Sequence, residues 1–142
     1  NCRFGDPETQ PIMMRLQSDL VSLCQSALSG TLDSCKTQWD PRASVGIVLA
    51  AGGYPGNYEK GLTIEGLEGA DSETQKVFHA GTQLLDGKVA TNGGRVLCAT
   101  GLGDNVTIAQ QQAYEQASKI SWKGMFHRDD IAYRAIAREQ TN

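Results

Sequence analysis

Four side chains able to hold a metal ion or an anion stand within the first eight residues, NCRFGDPE: Asn1, Arg3, Asp6 and Glu8. An amide oxygen is a hard ligand of the kind Mg²⁺ accepts, and a planar guanidinium grips phosphate or carboxylate through two parallel hydrogen bonds. If Asn1-Cys2-Arg3 runs as a strand, alternation places Asn1 and Arg3 on one face and Cys2 on the other. Gly5 and Pro7 then turn the chain so that Asp6 and Glu8 face back toward that surface. The same spacing allows a plainer arrangement, in which Arg3 forms an internal ion pair with Asp6 or Glu8 and Asp6-Pro7 is merely a turn. Both readings stand at this level.

A second group of candidates lies in glycine-rich breaks. AAGGYPG follows an apolar run, and its glycines permit close backbone approach, with exposed N–H groups able to receive a phosphate or carboxylate. The alternative is a tight turn between strands. Gly52, Gly53 and Tyr54 are therefore candidate substrate contacts, as are Asn92, Gly93, Gly94 and Arg95 in TNGGR.

Other motifs fail on chemistry. GLGDNV lacks the third glycine of a dinucleotide fingerprint, and Asp104 would repel a pyrophosphate there. No Gly-Lys-Ser/Thr follows any glycine loop, so a P-loop is excluded. His79 and His127 lie far apart with no triad pattern, which makes each a hydrogen-bonded structural histidine. Cys2, Cys24, Cys35 and Cys98 show no C-x-x-C pair and read as reduced thiols, with Cys24 on an apolar helix face and Cys98 in an apolar strand, both core positions.

The elements that must position these residues follow from periodicity. Ile12, Met13, Leu16, Leu20, Leu23, Cys24 and Leu28 recur at three- and four-residue intervals, predicting one amphipathic helix over about 11–29 with Gly30 as its stop. TLDSCKTQWDPRAS is a polar connector, and a boundary is expected near residue 40. VGIVLAA (45–51) reads as a buried strand, and KVFHAGTQLLDGKVAT as a hairpin about Asp86-Gly87. RVLCAT is another buried strand. A helix follows with Val106, Ala109, Ala113, Ala117 and Ile120 on one face, capped by Asp104 or Asn105. RDDIAYRAIARE predicts a last helix with Asp129 and Asp130 near its start. Strands first and helices late make 41–142 a small α+β domain.

With 142 residues, 39% apolar and 20% charged, the chain can bury one modest core. A net charge of −3 with scattered Lys and Arg gives no field for nucleic acid. No apolar run approaches a bilayer span and no hydrophobic leader opens the chain, so the expectation is a soluble, cytoplasmic protein without a membrane partner.

NCRFGDPETQPIMMRLQSDL resembles the closing segment of the ATP-grasp domain of the phosphoribosylamine-glycine ligase (glycinamide ribonucleotide synthetase) family. WDPRASVGIVLAAGGYPGNYEKG, KVFHAGT, TNGGRVLCATGLGDNV and HRDDIAYRAIARE resemble that family's C-terminal domain, in the same order. The resemblance implies a last strand-turn-helix of the ATP-grasp domain over 1–40, then a small mixed or antiparallel β domain with C-terminal helices over 41–142. It implies that Asn1 is one ligand of a Mg²⁺ or Mn²⁺ ion on the nucleotide, the other being a Glu two residues ahead of it, and that Arg3 contacts the transferred phosphate or the acyl phosphate. Asp6 and Glu8 occupy the substrate-facing turn that follows. The implied partners are glycine, 5-phosphoribosylamine, ATP as co-substrate and the remainder of the polypeptide, without which this piece is inactive. The implied reaction is ligation of glycine to 5-phosphoribosylamine through glycyl phosphate, giving glycinamide ribonucleotide for purine biosynthesis. Two other functions remain open: a non-catalytic binding module derived from this domain, and another ATP-grasp carboxylate-amine ligase.

Overall fold

Alternation along two long strands decides the architecture. The computed structural model describes residues 3–141. In chain order the elements are α1 (Thr9–Arg15), α2 (Leu20–Leu28), a 3₁₀ turn (Leu32–Ser34), β1 (Ala43–Ala50), β2 (Gln75–His79), β3 (Thr82–Leu85), β4 (Lys88–Thr91), β5 (Arg95–Gly103), α3 (Val106–Ser118) and α4 (Tyr133–Glu139). β1, β5 and β2 form a three-stranded sheet in that order, and β3 pairs with β4. All these pairings are antiparallel, and the class is α+β, as the sequence predicts.

On one face of the larger sheet, Val45, Ile47 and Leu49 line up with Ala99, which is opposite Ile47 in the register. α3 covers them with Ala109, Ala113 and Ala117, all buried. Fully burying an aliphatic side chain such as Ile47, Leu49 or Leu97 stabilises the fold by about 1.5–3 kcal/mol each. The opposite face meets α1: a Cβ added to Gly46 would lie 3.0 Å from both the Cys98 sulfur and the Pro11 ring. Cys98 is buried as expected, and burial pushes its thiol up to about 12, with the Asp6 charge adding to the effect. Cys24 is not a core residue: it is exposed on α2, of which no residue is buried.

The helix expected over 11–29 is two helices. The chain leaves α1 at Leu16, which bridges to Trp39. The backbone of Arg15–Gln17 is taken up by the returning connector: Asp40 N–H donates to the Arg15 carbonyl at 2.7 Å and Gln17 N–H to the Gln38 carbonyl at 3.0 Å. Asp19 then starts α2 by accepting the Ser22 N–H at 2.6 Å. A helical period runs through the break because an N-cap residue can sit inside it.

The Asp86-Gly87 turn forms as predicted, with φ of 49° and 77° at the two residues. Only β3 and β4 belong to that hairpin. The KVF run is β2 and joins β5 instead, Phe78 opposite Cys98. Residues 61–64 run beside β4, where Ile64 N–H donates to the Val89 carbonyl and Thr91 N–H to the Leu62 carbonyl, each at 2.9 Å.

Asn105, rather than Asp104, caps α3, accepting the Ile108 N–H at 2.9 Å. The Glu139 carboxylate, reaching over from α4, accepts the Val106 N–H at 3.0 and 3.1 Å. Asn105→Ala is expected to lower stability by about 1 kcal/mol, read as a lower urea midpoint at unchanged slope. The last helix is shorter than predicted. It begins only after Ala132, whose φ is 67°. Asp129 and Asp130 lie in the preceding turn, where Asp130 takes Arg128 in a two-pronged pair at 2.8 and 2.7 Å.

Asp40 is buried and accepts four hydrogen bonds from Arg42: from its backbone N–H at 2.9 Å, from Nε at 3.0 and 3.2 Å, and from Nη2 at 2.6 Å. The Arg42 side-chain hydrogen bonds, then its backbone N–H, hold the Asp40 carboxyl at about 2, below its ordinary 3.8. A depressed carboxyl contributes stability above its unfolded value and loses it as pH falls through the folded one. The stability gap between the native chain and Asp40→Asn should therefore be full at neutral pH and close between about pH 4 and pH 2, as urea titrations across that range would read.

Candidate active-site groove

Antiparallel order brings three chain segments to one end of the larger sheet: the exit of β1, the exit of β2 and the entry of β5. The opening segment crosses the same end. A groove of about 460 Å³ results, lined by Asp6, Gln10, Tyr54, His79, Ala80, Gly81, Gly94 and Arg95.

Its charged centre is Arg95. The guanidinium donates from Nε to Asp6 Oδ2 at 2.9 Å and from Nη1 to the Tyr54 hydroxyl at 3.0 Å. The hydrogen bond to Asp6, and next the charge of that carboxylate, raise the guanidinium above its ordinary value. With side chains 42% and 39% exposed, this pair adds little to stability. Its geometry matters more: it places a cation and an anion side by side on a wall open to ligands. Asp6 and Tyr54 each precede a cis proline.

Four predicted site residues thus meet here: Asp6, Tyr54, Gly94 and Arg95. The others do not line the groove. Gly52 lies beside the Gly124 backbone and borders a smaller depression with Glu59, Leu62 and Lys123. Gly53 is part of the turn itself, with φ of 94°. Asn92 is exposed, and its N–H donates to the Gly81 carbonyl at 2.7 Å. Glu8 sits at the start of α1 with its carboxylate folded over Gly5. Asn1, the predicted metal ligand, is outside the described residues.

Arg3 is exposed and donates from Nη1 to the Phe4 carbonyl at 3.2 Å. Among the described residues it forms no ion pair, and Asp6, one of its two proposed partners, is engaged by Arg95. The internal-pair reading of Arg3 does not hold in this conformation.

Sequence reasoning missed Gln10, His79, Ala80 and Gly81. Gln10 donates to Asp6 Oδ1 at 3.4 Å, and its own carbonyl oxygen is buried without a partner among the described residues. His79 has the expected structural hydrogen bond, Nδ1 to Thr82 Oγ1 at 3.0 Å, while also edging the groove. The one available signal was position: Ala80-Gly81 is a break next to a strand, and strand ends are where loops gather ligands.

Among the described residues, no three or more His, Cys, Asp or Glu side chains are grouped so as to hold a metal ion. No described helix is long and apolar enough to cross a membrane.

The profile of the family described as phosphoribosylglycinamide synthetase, C domain, matches residues 44–134. A phosphoribosylamine-glycine ligase of Vibrio parahaemolyticus is 67% identical over 140 residues, covering 99% of this chain and 33% of the relative. One of Pseudomonas putida is 64% identical over 140 residues, covering 99% and 32%. The crystal structure of phosphoribosylamine-glycine ligase from Thermotoga maritima matches with a TM-score of 0.69 at 36% identity, over 90% of this chain and 31% of that one. The chain spans about a third of the length of these relatives. With a family profile covering most of its length and a matching fold, the chain belongs to the phosphoribosylglycinamide synthetase C-domain family.

Proposed function

We propose that this chain is the C-terminal part of a cytoplasmic, ADP-forming ligase that joins glycine to 5-phosphoribosylamine in purine biosynthesis. Residues 1–40 would close its ATP-grasp domain and 41–142 form its C-terminal domain. Support comes from alignment of 99% of the chain with phosphoribosylamine-glycine ligases. The observation that carries the reading is the Asp6–Arg95 contact at 2.9 Å, which joins these two segments across one groove.

In the reaction, the glycine carboxylate attacks the γ-phosphate of ATP to give glycyl phosphate and ADP. The amine of 5-phosphoribosylamine then attacks the acyl carbon, and phosphate leaves with the bonding electrons. The first step brings two anions together, so cationic groups must position and screen them. Arg3 is exposed at the head of the chain and offers a guanidinium for the phosphate being transferred. Arg95 and Asp6 present donors and an acceptor side by side, which suits substrates that carry a carboxylate or phosphate together with an amine. The Mg²⁺ or Mn²⁺ implied by the resemblance would supply further screening on the nucleotide. Asn1 is the ligand this chain offers it, and none of the roles given to Arg3, Asp6 and Arg95 depends on it.

The exposed apolar side chains of the first segment agree with a chain that packs against more protein: Val21 is 64% and Leu28 90% exposed. The test is ADP release by the full-length protein with glycine and 5-phosphoribosylamine, against other amino acids and amines. Release confined to that pair is expected; release with a different pair alone would reassign the enzyme to another carboxylate-amine ligase, and none at all would favour a binding module.

A further inference from the structure

Arg95 has a long, flexible side chain, and one partly exposed carboxylate does not fix the direction of its planar head. The second contact, from Nη1 to the Tyr54 hydroxyl, comes from a different side of the guanidinium. Among the described residues Nη2 makes no hydrogen bond, which leaves that edge for a ligand. The tyrosine is itself held: its N–H donates to the Ala51 carbonyl at 3.0 Å, and Ala51 N–H donates to the Gly94 carbonyl at 2.8 Å. The loop after β1 is thereby tied to the residue just before Arg95. The Tyr54 ring lies where a side chain on Gly94 would be, since a Cβ there would come within 2.6 Å of Tyr54 Cε2 and nearer still to Cδ2.

We propose that Tyr54 is a positioning residue: its hydroxyl aims the Arg95 guanidinium at the carboxylate or phosphate of a substrate, and Gly94 is the gap that admits its ring. This rests on the ligase reading and gives Tyr54 a role other than direct substrate contact. The shared chemistry is an anion, carried by glycine as a carboxylate and by 5-phosphoribosylamine as a phosphate.

The experiment is steady-state kinetics of the full-length ligase, with KM taken separately for the two substrates. Tyr54→Phe keeps the ring and removes one hydrogen bond to a charged group, so the KM of one substrate should rise roughly 3- to 10-fold with kcat within about twofold. A rise for glycine assigns Arg95 to the carboxylate, and a rise for 5-phosphoribosylamine assigns it to the phosphate. Gly94→Ala should raise the same KM in the native background and add less than about twofold in a Tyr54→Gly background, because the clash partner is gone. Unchanged KM values in Tyr54→Phe, or an equal Gly94→Ala penalty in both backgrounds, overturn the proposal. If the unaltered protein releases no ADP with these substrates, the ligase reading fails by itself. The positioning claim is then decided by the Arg95 Nε–Hε NMR signal, which should shift in both Tyr54→Phe and Gly94→Ala and which, if unmoved, removes the claim.

Discussion

On the proposed ligase reading, replacing Arg3 by Ala in the full-length protein should lower turnover by roughly 10²- to 10³-fold, the usual cost of losing a charge-stabilising donor at a reacting centre. Folding should survive. Arg3 is exposed, its recorded hydrogen bond is to the carbonyl of the next residue, and it makes no ion pair among the described residues. A surface position of this kind changes stability by no more than about 0.5 kcal/mol. The paired measurement is ADP release with thermal melting. A melting temperature held while the rate collapses places Arg3 at the transferred phosphate. An unchanged rate makes it an ordinary surface arginine and withdraws the role proposed for it.

Gly101→Ala should cost about 3 kcal/mol of stability. Gly101 is buried in β5 on the face that α3 covers, and a Cβ there would stand 2.5 Å from both the Ala109 carbonyl oxygen and the Ala113 nitrogen. Those are backbone atoms of a helix, which cannot rotate aside as a side chain would. The helix must back away from the sheet, loosening the layer in which Ile47, Leu49, Ala109 and Ala113 are all fully buried. Urea unfolding of the 142-residue chain would register the loss as a lower midpoint. A shift under about 0.5 kcal/mol would mean that the helix is not seated on the strand at that distance.

The two substitutions differ in how visible they were beforehand. Arg3 stood out from its neighbours in the chain, and a fragment of motif was enough to single it out. Gly101 looked like one more glycine in GLGDN, and its importance comes from a helix that follows it and folds back. The same division runs through the fold. The Asp86-Gly87 turn, the strand over 45–51 and the Asn105 cap each depend on a few adjacent residues, and each forms where the sequence puts it. The helix expected over 11–29 does not persist, because Gln38 and Asp40 return to take backbone hydrogen bonds of Gln17 and Arg15.

By itself, then, the sequence determined the class, the strand and turn positions and the family, since periodicity, caps and ordered motifs are written in neighbouring residues. The groove was decided by tertiary structure. Asp6 meets Arg95 across 89 positions and Tyr54 meets it across 41, and both meetings depend on the sheet order β1-β5-β2 bringing those strand ends together. Local pattern carries no record of which strand will lie beside which. That choice is made when α3 and α1 bury the two faces of the sheet, and only then do an aspartate, a tyrosine and an arginine become one site.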